Sequence, residues 1–224
     1  MCFVEILFTR GGKKIKVHSY SLGIVETNCY IIEGESELLV IDPGDNGEFI
    51  NERIKKFNKK LAAILLTHAH FDHIGGIDAV VNKQGVEVYV HNEEKSWLTD
   101  TVKNGSKKFE AYQLPQVVQK TIPTVIDEGH HVIGEFEFEA LHTPGHSPGS
   151  LTFVFDDFAI VGDTLFKGGI GRTDLYKGDT QTLLNSIEDK LLSLNPDTTV
   201  FPGHGPDTTI EQEEMSNPYL NGFS

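Results

Sequence analysis

No apolar run in the 224-residue chain approaches the roughly 18 residues needed to cross a bilayer, so a membrane-spanning helix is not expected. The first residues, Met-Cys-Phe-Val-Glu-Ile-Leu-Phe, carry no basic stretch, and Glu5 interrupts the apolar run; a secretory signal is not expected either. Cysteine is nearly absent. Cys2 and Cys29 form no disulfide framework and read as free thiols of a cytoplasmic protein. Positive charge is also scarce: 19 Lys and Arg stand against 33 Asp and Glu, a net charge of −14. A phosphate-binding surface needs cations, so nucleic acid is excluded as an expected partner. No Ser-His-Asp arrangement is visible. What remains is one domain over residues 1–224, a monomer or small homo-oligomer, with a hydrophobic fraction of 38% that is ordinary for a globular protein.

Apolar periodicity then places the elements. Strands are expected near 3–8, 14–20, 29–33 and 37–42, the last ended by the turn residues Asp42-Pro-Gly-Asp45. A helix follows from about Glu48 to Lys60, with Phe49, Ile50, Ile54 and Phe57 on one face. Next come a buried strand at 61–66, a helix to about Gln84 and a strand at 86–90. Residues 92–122 are polar and show little period beyond a short helix at 93–98. The second half has an alternating strand at 135–141, a hairpin of 151–155 with 158–161, and a helix at 180–194. A strand at 198–201 and a helix at 210–215 follow. Two sheets face to face with helices outside satisfy this pattern, as do other mixed α/β arrangements.

The densest chemistry lies directly after the strand at 61–66. Thr67-His-Ala-His-Phe-Asp-His73 packs three imidazoles and a carboxylate into seven residues. Such groups are costly to bury unless paired or bound to metal, and they are the usual nitrogen and oxygen ligands of divalent transition metals. Three further strand ends each carry one such group: His146 in His142-Thr-Pro-Gly-His-Ser-Pro-Gly149, Asp163 in Gly-Asp-Thr, and His204 in Pro-Gly-His-Gly. Residues two apart on an extended segment point the same way, so His68 and His70 can reach one ion, with His146 as third imidazole. Asp72 and His73 turn toward a second point that His204 completes, and Asp163 is left to bridge. Neither set is filled, which leaves room for a water between two ions about 3.5–4 Å apart.

These motifs, in this order, resemble the metallo-β-lactamase superfamily. Gly162-Asp-Thr-Leu-Phe166 with Ile170-Gly-Arg-Thr-Asp174, Val40-Ile-Asp-Pro-Gly44, Thr143-Pro-Gly-His-Ser-Pro-Gly149 and Asn217-Pro-Tyr-Leu220 are similar to its glyoxalase II (hydroxyacylglutathione hydrolase) branch. The resemblance implies an α/β fold, an αββα sandwich of two mixed sheets with the metals at one edge. It carries His68, His70 and His146 to one ion, Asp72, His73 and His204 to the other, and Asp163 to both. The chain resembles the short form, without the C-terminal helical domain of the long form. In the long form a lysine and a tyrosine after the Gly-Asp-Thr-Leu-Phe motif contact glutathione. Arg172 and Asp174 stand at those places here.

The expected function is hydrolysis of a small thioester of the hydroxyacylglutathione type by a hydroxide between two divalent ions. Zinc is the first expectation, with iron or manganese as alternatives. Asp72 is the expected catalytic residue, orienting the hydroxide and shuttling a proton; Arg172, Lys167 and Tyr176 are candidates for substrate contact. Asp42 either supports the metal ligands or only shapes its turn, and His142 supports the site or is solvated. His18, His91, His130 and His131 read as surface residues, and Cys29 as core. The alternative is a persulfide dioxygenase-like oxidoreductase with one iron on His68, His146 and Asp163. A hydrolase of lactones or β-lactams is a further alternative.

Overall fold

The computed structural model describes residues 3–10 and 13–220; Cys2 lies outside them. The first half opens with an antiparallel run: β1 (Phe3–Arg10), β2 (Lys13–Leu22), β3 (Thr27–Glu33) and β4 (Glu37–Ile41). Helix α1 (Gly47–Phe57) starts where the Asn46 side chain accepts from the Phe49 N–H. It stops short of the expected Lys60, because Asn58 turns left-handed at φ 53° and Lys60 already begins β5 (Lys60–Leu65). A single turn, α2 (Phe71–Ile74), is followed by α3 (Ile77–Gln84), β6 (Val88–Val90) and β7 (Thr124–Val125). The seven strands form one sheet in sequential order, parallel from β4 onward.

The second half builds another sheet from β8 (Gly129–Ile133), β9 (Phe136–His142), β10 (Leu151–Val154) and β11 (Phe158–Gly162). A hairpin of β12 (Leu165–Phe166) and β13 (Gly169–Ile170) precedes α4 (Thr180–Ser186). The expected helix over 180–194 continues only as a π-helical turn at Ile187–Leu191. Then come β14 (Thr199–Pro202), β15 (Thr208–Thr209) and α5 (Ile210–Ser216). The sheet order is β15-β14-β11-β10-β9-β8, with β11 and β14 parallel.

Period-two alternation sorts the core into layers. Along β3 and β4, Cys29, Ile31, Leu38 and Val40 face α1 and α3, where Ile50, Ile54, Ile77 and Val80 meet them. Their neighbours Tyr30, Ile32, Leu39 and Ile41 face the second sheet and its Phe136, Phe138, Phe153 and Phe158. On β11, Ala159 and Val161 turn outward against Leu183, Ile187 and Ile210. Helix, sheet, sheet and helix therefore stack as an αββα sandwich. Residues 92–122 hold only 3₁₀ turns at Asn92–Leu98 and Ser106–Tyr112.

The layers leave several strand ends at one edge. β4 and β5 run parallel in one sheet, as do β11 and β14 in the other, and β9 shares the direction of β11 through two antiparallel pairings. The Leu151 N–H donates to the Thr67 carbonyl at 2.7 Å, and the Asn28 N–H to that of Gly203 at 2.7 Å, which stitches the sheets together there.

Phe153, fully buried between the sheets and edge-on to Phe138, tests the layering. Phe153→Ala is expected to cost about 3–5 kcal/mol in urea unfolding of chelator-treated protein. Val132→Ala, on the exposed face of β8, is expected to stay within about 0.5 kcal/mol. Equal losses would contradict the two-sheet core.

Candidate metal centre

Beyond β5 the chain bends at Thr67 and reaches His70, whose φ and ψ of −69° and 152° place it at the entry of α2. This segment brings His68 and His70 together, and the single turn of α2 carries Asp72 and His73 to a second point. His146 arrives from the loop between β9 and β10, Asp163 from the end of β11 and His204 from the end of β14. Gly203 is required beside them: a Cβ there would collide with Asp163 Oδ1 and lie 2.8 Å from the His73 ring.

Two donor sets result. His68, His70 and His146 offer ring nitrogens within 4.8 Å of one another, as do the donors of Asp72, His73 and His204. His70 Nδ1 and His146 Nε2 converge to 2.9 Å. Asp163 faces both sets: Oδ2 lies 3.5 Å from His146 Nε2 and 3.5 Å from His204 Nε2, and Oδ1 lies 3.4 Å from His73 Nε2. The seven expected residues converge at this edge, and among the described residues Asp42, His68 and His73 form a third convergent group that was not expected.

The donors fit divalent cations. His68 Nε2, His73 Nε2 and Asp163 Oδ1 are buried without a hydrogen-bond partner, an unfavourable state that a metal would relieve. Burial, reinforced by the neighbouring imidazoles, holds His68 far below the usual histidine range and His70 at about 3. Burial lowers His146 as well, so this set offers neutral imidazoles. In the other set burial also disfavours charge, yet Asp72, Asp42 and Asp163 outweigh it and hold His73 well above the ordinary value. Against the same opposition from burial, hydrogen bonds to Asp163 and Asp72 raise His204 to about 9. Burial also works against ionisation of Asp72 and Asp163; nevertheless His73 and His204 bring Asp72 to about 2 and Asp163 well below the carboxylate range. Carboxylates of this kind demand positive charge, and without metal the protons on His73 and His204 supply it.

Outer contacts aim the rings. Carbonyl oxygens only accept, so His146 Nδ1–H donates to Arg172 O at 2.8 Å and His204 Nδ1–H to Val25 O at 3.1 Å. This fixes the tautomer in which, once the ring is neutral, Nε2 carries the lone pair that a cation would take. Asp42 does more than shape its turn. Its Oδ2 meets His73 Nδ1 at 2.9 Å, and its two oxygens accept from the Thr67 N–H and O–H. His142 Nε2 donates to the Pro148 carbonyl at 2.8 Å, inside the loop that carries His146.

The cleft over the metal ligands is walled by Phe71, Lys108, Phe109, Arg172 and Leu175. Arg172 is exposed and held bidentately by Asp174 at 2.6 and 2.7 Å, the local ion pair that its spacing allows. Lys167 and Tyr176 are exposed and do not line the cleft; Tyr176 instead packs edge-on to Trp97 at 5.6 Å. Lys108 carries no signal in the sequence, since it lies in the aperiodic stretch 92–122. His18 departs from its surface reading. It is buried in β2 with Nε2 2.8 Å from Glu33 Oε2, because Lys59 and Glu33 build a polar network over that end of the sheet.

Two supporting residues carry no sequence signal. Thr27 Oγ1 donates to Asp72 Oδ2 at 2.7 Å and so fixes the carboxylate that faces His204. Glu94, fully buried, accepts from the Ala69 N–H, the Ser147 hydroxyl and the Gly149 N–H at 2.7 Å, tying the His68–His70 loop to the His146 loop. Burial raises it to about 6 although these hydrogen bonds favour the anion. Glu94→Gln would set an amide N–H₂ against one of three donors. Its expected effect is a loss of roughly 1–3 kcal/mol of stability and 10–100-fold of metal affinity, read by urea unfolding and chelator competition. A folded pKa raised from 4.5 to about 6 means that the folded state binds more protons in this window. In metal-free protein, wild type should therefore lose stability relative to Glu94→Gln as pH rises from about 4.5 to about 6. A pH-independent difference would remove the buried-carboxylate account.

Comparison with known proteins matches residues 22–204 to the metallo-beta-lactamase superfamily. The chain is 46% identical over 206 residues to the probable metallo-hydrolase YqgX of Bacillus subtilis, covering 91% of this chain and 96% of that protein. It is 39% identical over 208 residues to the hydroxyacylglutathione hydrolase GloC of Haemophilus influenzae, covering 89% and 95%. Among solved structures, the BLEG-1 B3 metallo-beta-lactamase superposes with a TM-score of 0.86 at 41% identity, covering 91% of this chain and 99% of that one. TTHA1623 in a di-iron-bound form gives 0.77 at 36% identity, covering 90% and 99%. Fold, order of motifs and the match over most of the chain agree: this protein belongs to the metallo-β-lactamase superfamily and is a metallo-hydrolase of that superfamily.

Proposed function

We propose that this chain hydrolyses a small thioester of the hydroxyacylglutathione type at a centre of two divalent metal ions. The observation that carries this reading is Asp163, one carboxylate within 3.5 Å of nitrogens from both donor sets. His68, His70 and His146 would hold one ion, Asp72, His73 and His204 the other, with Asp163 shared. The 39% identity to GloC supports the thioester class, and the di-iron form of TTHA1623 supports two ions and makes iron as reasonable an occupant as zinc. Divalent ions held there would supply Lewis acidity, lowering the pKa of a bound water and stabilising negative charge on the carbonyl oxygen and the leaving sulfur.

The chain's own residues do the rest. Asp72 sits at the cleft, with Oδ2 engaged by Thr27 and 3.2 Å from His204 Nε2. Held in this way it orients the attacking water and accepts its proton, as an ionised carboxylate can. Water adds across the thioester, giving a carboxylate, a thiol and one released proton. Phe71, Phe109 and Leu175 form an apolar collar that limits bulk water. Lys108 and Arg172 place positive charge at the same mouth and suit the carboxylates of a glutathione-like carrier. Arg172 reaches such a group by exchanging Asp174 for it, an inexpensive step for an exposed pair.

With S-lactoylglutathione as substrate, Asp163→Asn is expected to lower kcat/KM by more than the roughly 10–100-fold that follows loss of a ligand's hydrogen-bond partner. Thr27→Val, which leaves every ligand in place, is expected to lower kcat by about tenfold with KM little changed. An undiminished rate in Asp163→Asn would end the two-ion reading. An unchanged kcat in Thr27→Val would remove Asp72 from proton transfer.

A further inference from the structure

Past Asp72 the cleft does not close. Val25, Phe71, Asp72 and Phe109 also wall a second concavity of about 330 Å³ that continues away from the metal ligands. Its floor is Leu22, Leu114 and Val117, and its rim carries Ile24 and Val118, which are 68% and 46% exposed. Among the described residues, no lysine, arginine or histidine lines it, and its charged side chains are Asp45 and Asp72. Its polar wall groups are largely engaged within the protein. Gln119 bonds the Gly75 carbonyl and the Asp78 N–H, and the Ser106 hydroxyl accepts from the Val117 N–H. Such a groove offers an incoming group contact area and no ionic partner, whereas the cations of the cleft, Lys108 and Arg172, lie on the metal side.

We propose that this groove binds the acyl group of the thioester, and that within the thioester class an acyl group extended by an apolar chain is cleaved faster than a short one. The thiol carrier then lies toward Lys108 and Arg172. Charge decides the orientation: a carrier bearing carboxylates is repelled by Asp45 and attracted by the two cations, and an apolar chain gains nothing from them. Continuity with the metal cleft argues for the substrate itself as occupant, because a chain attached to a carbonyl at the ligands would enter the groove past Phe71 and Phe109. This proposal rests on the thioester hydrolase reading above.

The test uses metal-loaded, full-length protein and a series of S-acylglutathiones from acetyl through butanoyl and hexanoyl to octanoyl. kcat/KM is expected to rise about fourfold per added methylene until the groove is filled. In the double variant Ile24→Asn, Val118→Asn, with its fold checked by thermal midpoint, the octanoyl-to-acetyl ratio is expected to fall at least tenfold. Cleavage of all esters at rates independent of chain length would overturn the groove assignment while leaving the hydrolase reading intact. If no thioester is cleaved, calorimetry with the non-hydrolysable S-octylglutathione decides. Binding that the double variant loses keeps the groove and removes the reaction, and absence of binding removes the groove as well. A concentration-dependent dimer that the double variant dissociates would assign the groove to a second copy of the chain and overturn the proposal.

Discussion

A buried carboxylate that must be neutralised on two sides organises this protein. Asp163 sits at the end of β11 with nitrogens of both donor sets within 3.5 Å, and one of its oxygens has no hydrogen-bond partner. An ion pair in a low-dielectric site survives only when geometry and outer hydrogen bonds are complete. Much of the surrounding structure serves that condition. The two sheets bring strand ends together, Gly203 leaves room for the carboxylate, and Asp42, Arg172 O and Val25 O aim the imidazoles. Because these supports come from both halves of the chain, the site exists only when the sandwich is closed.

Charge is divided unequally between the two sets. The imidazoles of His68, His70 and His146 are kept neutral by burial, whereas His73 and His204 stand among Asp42, Asp72 and Asp163. The first set offers nitrogen donors alone and the second adds carboxylate. Under the proposed hydrolysis that asymmetry would divide the work: one position would bind through neutral nitrogens, and the other would carry the carboxylate that takes a proton from water.

The layers were legible in the sequence because they follow a short period, and the candidate ligands because they stand at strand ends in motifs that resemble a known family. Alternation along 29–33 and 37–41 separates residues facing the helices from residues facing the second sheet, and two-residue spacing aims His68 with His70. Contacts that depend on tertiary approach were not legible. Glu94 and Lys108 lie in the aperiodic stretch 92–122, where 3₁₀ turns and loop packing, not a repeating face, determine direction. His18 has an ordinary strand position, and only the network with Glu33 shows why it is buried. Helix ends differed for local reasons, as at Asn58, whose left-handed conformation ends α1 directly after Phe57, the last residue of its apolar face. The groove beside Asp72 falls in the same class, since the turn after β2 and residues 106–119 meet only in the folded chain.

Metal stoichiometry joined to oxygen dependence is the most direct measure of the central claim. Purified protein should hold two divalent ions per chain and cleave S-lactoylglutathione at the same rate with and without oxygen. One iron per chain, with oxygen consumed on glutathione persulfide and no thioester cleavage, would contradict it and assign His68, His146 and Asp163 to a mononuclear oxidative site.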